Sequence, residues 1–343
     1  MEQIPRTMRA VAYTKSLPID HPDSFEDVEL PVPRPGPRDL LVRVEAIAVN
    51  PVDYKIRQGV DPGGTPKVLG WDAAGTVVAV GTEVELFEAS DEVYYAGALD
   101  RPGADSRFHV VDERLAGPKP TTLSFAEAAA LPLTSLTAWE GLFDRMGLCN
   151  GGLEQSGALL VTAAAGGVGA MVSQLARRLT GLTVIGTASR PESIEFARRM
   201  GAEHVVDHHR PLAAQLADVA PGGVDYIFST TRTDRNLKDY AEVLNPFGHV
   251  VAIDDFEALD IGVLKQKSAS FHWEFMYTRS MFQTADQAMQ HQILSQIARL
   301  VDLGTLRTTA NLDLGPINAA NLREAHRIQE SGTAIGKTTL TGF

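Results

Sequence analysis

The stretch Leu159–Leu179, LLVTAAAGGVGAMVSQLARRL, decides the fold. It begins as an apolar run suited to a buried strand, crosses a cluster of small residues, and leaves with apolar residues at helical spacing. Ala164, Gly166 and Gly169 take the three small-residue positions of a G-x-G-x-x-G pattern, with alanine in the first, and Gly167 and Val168 lie between them. Small residues permit a tight strand-to-helix turn and let the backbone approach a ligand closely, while the helix start presents N–H donors to an anion. The bland reading is a tight turn with no ligand. The ligand reading gains from the pattern of the next hundred residues.

Downstream, strand-like and helix-like segments alternate: TVIGTA then PESIEFARRMG, HVVD then LAAQLADV, VDYIFST then NLKDYAEVL, and finally GHVVAID. Such alternation predicts a parallel sheet wound by right-handed crossovers, with the glycine turn at its first strand-helix junction. In that setting the expected ligand is a dinucleotide. NAD-selective sites carry an acidic residue about 20 positions past the glycines to bind the ribose 2′-hydroxyl. Here TASRPES places Ser189 and Arg190 instead, which suits a 2′-phosphate, because a guanidinium fork pairs well with phosphate oxygens. NADPH is the expected cofactor; the alternative for Arg190 is a solvated arginine ahead of a helix starting at Pro191.

Residues 8 to 130 have another texture. Short β-type runs, MRAVAY, LLVRVEAIAVN, AAGTVVAVG, DEVYYAG and RFHVVDE, are broken by Pro and Gly, with PVPRPGPRD as a stiff connector. This predicts a mostly antiparallel domain. The tail from about 279 adds a long helix, ADQAMQHQILSQIARLVDLG, and a last strand, GKTTLTGF. The fold class is α/β, with residues 1–130 and 279–343 forming a β-rich domain and residues 131–278 a doubly wound parallel-sheet domain.

The formal charge of −12 and the lack of any basic run argue against a nucleic-acid surface. No apolar segment approaches the roughly 18 residues that span a bilayer, and MEQIPRTMRAVAY lacks a signal-peptide core, so no membrane partner and a cytoplasmic location are expected. The single cysteine, Cys149, rules out an internal disulfide and a Cys-rich metal site.

Taken as an ordered set, AAAGGVG, LGWDAAGTVVAVG, NPVDYKIRQG and the terminal GKTTL resemble the medium-chain dehydrogenase/reductase superfamily, within it the quinone oxidoreductase-like branch. The likeness is closest to the bacterial zinc-type alcohol dehydrogenase-like proteins, with FHWEFMYTRSMFQTADQ as the distinctive stretch, and it runs from residue 8 to Phe343. The resemblance implies a GroES-like catalytic domain, a Rossmann nucleotide domain and an active site in the cleft. Zinc-dependent members hold catalytic metal through a Cys just before a strand-end Asp, a His in a G-H-E triplet, and a later Cys or acid. The matching positions here are Asn50 and the triplet Gly70, Trp71, Asp72, so no catalytic zinc is expected, since amide and indole do not replace thiolate and imidazole. A rival cluster, His204, His208 and His209, reads better as cofactor-side or solvated histidines.

By resemblance, Asn50, Tyr54 and Lys55 are the candidate catalytic groups: Lys55 as an electrostatic or nicotinamide-ribose contact, Tyr54 as a proton donor, with an ordinary loop as the alternative. Thr137, as a helix-start threonine, His208 or His209, Thr230, Thr231 and Lys337 are implied cofactor contacts; the alternative for Thr137 is a plain cap or core threonine, and Lys337 either closes over the nicotinamide end or lies on the surface. Relatives use the strand matching KSASFHWEF to continue the sheet across a two-fold axis, which implies a homodimer, and Trp273 and Phe275 are candidates to reach the pocket. The expected activity is a zinc-free, NADPH-dependent reduction of a small-molecule electrophile, a quinone or an α,β-unsaturated carbonyl. The competing readings are a metal-dependent alcohol dehydrogenase and a non-catalytic NADPH-binding protein.

Overall fold

The computed structural model describes residues 4–154 and 156–343. The chain forms two compact units, one ending at Leu133 and resuming over Tyr277–Phe343, the other spanning Thr134–Met276.

The second unit contains a six-stranded sheet. Its strands, in chain order, are Ala158–Val161, Thr183–Thr187, His204–Val206, Val224–Ser229, Leu244–Ala252 and Ser270–Trp273, and their spatial order is third, second, first, fourth, fifth, sixth. Every pairing is parallel. This is the doubly wound order, and its direction reverses beside Ala158–Val161, where ligands of open α/β sheets bind beyond the carboxyl ends of the strands. One face of the sheet is sealed by Leu160, Ile185, Ile227 and Val250, packed with Leu216, Leu237 and Tyr240 from the crossover helices. That burial explains why these strands read as continuous apolar runs.

The first unit holds a seven-stranded sheet built around Asp39–Ala48 and Asp72–Val80, which pair antiparallel. The last strand, Lys337–Thr341, docks antiparallel on Asp39–Ala48, with Thr339 opposite Ala48. A smaller sheet joins Glu26–Pro31, Thr7–Tyr13 and Lys67–Val68. The tail is therefore an integral part of the β-rich unit. The expected tail helix is real but shorter, Met289–Asp302, because turns occupy the residues before it. A π-helical turn over Glu140–Arg145, which periodicity does not signal, extends the helix Pro132–Trp139.

Candidate active site

In the second unit the glycine turn is built from its neighbours. Ala163 sits in the left-handed region at φ 45°, its N–H donates to the Thr187 hydroxyl at 3.0 Å, and the N–H of Ala164 donates to the Thr187 carbonyl at 3.1 Å. These bonds tie the turn to the adjacent strand. Gly166 then precedes the helix Gly167–Leu179 in extended conformation. A Cβ on Gly169 would lie 2.4 Å from the Ala163 carbonyl oxygen, so only glycine lets the helix pack this close to the strand. Ala164 is fully buried, and a Cβ on Gly186 would lie 2.6 Å from its methyl group. Gly166, Gly167 and Val168 stay half-buried, leaving first-turn N–H groups that no helical carbonyl satisfies. Cradle, helix start and switch point together fit a dinucleotide phosphate.

Around the turn, Ser189 is half-buried, and Arg190 is exposed just before the helix Pro191–Arg199. Thr230 is tied across the sheet: its N–H donates to the Thr162 hydroxyl at 2.8 Å and its own hydroxyl to the Thr162 carbonyl at 2.9 Å. Thr231 is exposed beside it. His208 and His209 are exposed past the strand His204–Val206 with ring centroids 4.3 Å apart, and partial desolvation by the chain around its ring, with the charge of His209 next, lowers the His208 pKa. Among the described residues no group of three or more His, Cys, Asp or Glu side chains is placed to hold a metal ion. Thr137 differs from expectation: it lies inside the helix Pro132–Trp139, buried, and so is neither a cap nor a helix-start residue.

The first unit holds the other candidates. Asn50 precedes the helix Pro51–Gly59, whose Pro51 suits the first helical position because its missing N–H would have no partner there. Asp53 reaches back to accept the Asn50 N–H at 2.7 Å. On this helix Tyr54 is half-buried and Lys55 exposed. Asn50 is otherwise placed than as an open donor: it is 1% exposed, its Nδ2 donates to Asp72 Oδ2 at 2.8 Å, and its Oδ1 accepts from Lys337 Nζ. Lys337, expected over the nicotinamide or in solvent, is 3% exposed and forms an ion pair with Asp72 at 2.8 Å. The other Asp72 oxygen accepts the Leu133 N–H at 2.8 Å.

Sequence reading missed Asp53 and Asp105 as part of this cluster. Burial pushes Asp53 up to about 7, against the opposing pull of the Asn50 N–H and the Lys337 charge. Burial, and then the charge of Asp53, raises Asp105 well above the usual carboxylate range. A Cβ on Gly70 would fall 2.1 Å from Asp105 Oδ1, so the carboxyl of Asp105 presses on the Gly70–Asp72 segment. The available signal was the back-bonding spacing of Asn50 and Asp53.

A GroES-like β unit and a doubly wound nucleotide unit with a fitted glycine cradle define a dinucleotide-dependent oxidoreductase class. The alcohol dehydrogenase GroES-like domain model matches residues 36–138 and the zinc-binding dehydrogenase model residues 167–291. A zinc-type alcohol dehydrogenase-like protein of Staphylococcus epidermidis is 38% identical, over 97% of this chain and 99% of that protein. A solved Rhizobium etli CFN 42 structure, described as of the zinc-dependent alcohol dehydrogenase type, is 50% identical with a TM-score of 0.94, covering 99% of each chain. A quinone oxidoreductase of Pseudomonas syringae is 26% identical with a TM-score of 0.81, covering 97% of this chain and 99% of that one. The chain belongs to the medium-chain dehydrogenase/reductase superfamily, among the bacterial zinc-type alcohol dehydrogenase-like proteins. It is an oxidoreductase of that type, in a family that binds NAD or NADP. No helix among the described residues is long and apolar enough to cross a membrane.

The zinc of the family names does not fit this donor set. At the matching positions, Asn50 and Trp71 offer amide and indole, Trp71 is buried, and the triplet's own carboxylate, Asp72, is already paired with an ammonium.

Proposed function

We propose that the protein is a zinc-free, NADPH-dependent reductase that delivers hydride to a quinone or an α,β-unsaturated carbonyl compound. The observation that carries this reading is the exchange of metal donors for Asn50 and Trp71, with Lys337 on Asp72. Without a Lewis acid, oxidation of a simple alcohol loses its usual means of lowering the hydroxyl pKa. Conjugate reduction does not need one. The bound nicotinamide supplies the hydride, and the electron-withdrawing carbonyl of the acceptor takes the charge.

This chain's residues do the rest. The Gly166–Gly169 turn binds the pyrophosphate through first-turn N–H groups, and Ser189 and Arg190 recognise the 2′-phosphate. Lys55, exposed on the helix Pro51–Gly59, stabilises developing negative charge or orients the nicotinamide ribose, and Tyr54 is the candidate donor of the proton that completes the reduction. For an enone, hydride on the β-carbon and a proton on the α-carbon give the saturated ketone. For a quinone, hydride and a proton give the hydroquinone. We also propose that Ser270–Trp273, the outermost strand of the parallel sheet, pairs with a second copy to form a homodimer, which sedimentation would check.

The deciding experiment is NADPH oxidation measured over a panel of quinones, enones, alkenals and, in the reverse direction, simple alcohols. Turnover of conjugated acceptors that survives chelation supports the reading. Turnover confined to alcohols with added zinc would overturn it.

A further inference from the structure

The family names imply a metal, and the structure has a cation of its own at the matching positions. We infer that Lys337 is the resident cation of this site: its ammonium ties Asn50 to Asp72 where metal-dependent members bind an ion, and its presence closes the site to one. The inference rests on the zinc-free side of the proposed function and on nothing about the acceptor.

Charge arithmetic supports it. A thiolate, an imidazole and an acid suit a dication; of Asn50, Trp71 and Asp72 only Asp72 carries a charge, and the Lys337 ammonium pairs with it. The hydrogen bonds are equally matched. Lys337 Nζ donates to Asn50 Oδ1 and to Asp72 Oδ2, and Asn50 turns its own Nδ2 toward that same carboxylate at 2.8 Å. An asparagine amide can serve both signs of partner at once; an aspartate there would add a second buried charge, and an alanine would leave the ammonium short of an acceptor. With Leu133 N–H on Asp72 Oδ1, both carboxylate oxygens are used.

The lysine is also held from behind. Its backbone N–H donates to the Thr309 carbonyl at 2.8 Å, and its strand pairs with Ala310–Asp313 on one side and with Asp39–Ala48 on the other. A metal could enter only if Lys337 withdrew its charge from a buried pair, and breaking such a pair from one side is costly. Lys337 is thus a positioning residue: through Asn50 it sets the start of the helix that carries Tyr54 and Lys55.

The test combines metal content with paired substitutions in the full chain. Asn50→Cys/Trp71→His restores donors but keeps the lysine, and Asn50→Cys/Trp71→His/Lys337→Ala restores donors and removes it. After incubation with zinc and gel filtration, the triple variant is expected to retain about one zinc per chain and the double variant and wild type none. In parallel, Lys337→Met should lower the melting temperature by on the order of 10 °C, Lys337→Arg by much less, and Asp72→Asn added to Lys337→Met should recover at least half the loss. If the engineered donor variants do not fold, the melting series and the wild-type zinc titration decide. Stoichiometric zinc in wild type, equal zinc in double and triple variants, or purely additive losses for Lys337 and Asp72 would each overturn the inference. An acceptor panel that shows no turnover would remove the proposed function and leave these results untouched.

Discussion

Arg145 Nε lies 3.0 Å from Glu274 Oε2, joining the π-helical turn to the residue just beyond the edge strand Ser270–Trp273, and Glu274 shares this buried corner with a second acid, Glu140. Burial, then the neighbouring Glu140, raises the Glu274 pKa from 4.5 to about 9, although Arg145 pulls it down. Two carboxyls beside one guanidinium keep a proton between them.

That arrangement has a definite pH signature. The folded pKa lies above the unfolded one, so the folded state binds more protons across that interval. The stabilising contribution is fully present below about pH 4.5 and drains away as pH rises to about 9. Glu274→Gln keeps the shape and supplies an amide donor to Glu140, so its melting temperature should vary less than that of wild type between these limits. Thermal melts at several pH values check this, and parallel curves for the two proteins would show that Glu274 does not titrate as described.

Gly169 gives a test of the nucleotide turn. A methyl group there would meet the Ala163 carbonyl oxygen at 2.4 Å and the Ala164 Cα at 2.8 Å, both backbone atoms that cannot swing aside. Gly169→Ala should cost about 1–3 kcal/mol of stability and weaken dinucleotide binding together, because the helix must lift from the strand. Calorimetric titration with NADPH and NADH, alongside a denaturant melt, measures both. A stable variant with undiminished affinity would disconnect the close packing from the ligand.

The legible and illegible parts of this chain divide by range. The parallel sheet could be read because each strand and its crossover helix announce themselves within a few residues, and the glycine turn carries its own spacing. The place of Lys337 could not, because its partner is Asp72, 265 positions away, and an ion pair of that span leaves no periodicity. Asn50 fared similarly: its type and position stood out, but the ammonium it accepts from is 287 positions away. Only the resemblance places Thr137 at a helix start, whereas the helix begins at Pro132, a residue suited to a first turn, and Thr137 lies buried within it, as the core alternative has it. The buried acids, Asp53, Asp105, Glu140 and Glu274, look like surface residues in sequence, and only the fold encloses them.

The proposed preference for NADPH rests on Arg190. It is exposed at the carboxyl end of the strand next to the glycine turn, and no acidic residue stands at Ala188, Ser189 or Arg190 to meet a ribose 2′-hydroxyl. NADPH should bind more tightly than NADH, and Arg190→Ala should weaken NADPH by about 1.5–3 kcal/mol, roughly ten- to a hundredfold, with NADH little changed. Equal NADPH affinity in wild type and variant would assign the guanidinium to solvent.

The last prediction concerns Lys55 and Tyr54. With Asn50 and Lys337 committed to each other and to Asp72, Lys55 is the cation that the helix Pro51–Gly59 leaves exposed at this end of the β-rich unit. If its charge meets the nicotinamide ribose or the developing enolate, Lys55→Met should lower kcat/KM by about 2–4 kcal/mol, the scale of one lost preorganised donor. Methionine is a good helix former and the position is exposed, so the melting temperature should stay within about a degree or two of wild type. Tyr54→Phe should fall to a comparable extent if its hydroxyl delivers the proton, and by far less if water does, since an enolate released to solvent needs no dedicated acid. A solvent isotope effect on kcat that disappears in Tyr54→Phe would assign the proton to the tyrosine. A Lys55→Met enzyme that reduces its best enone or quinone at the wild-type rate would take the lysine out of the chemistry and leave backbone N–H groups as the oxyanion donors.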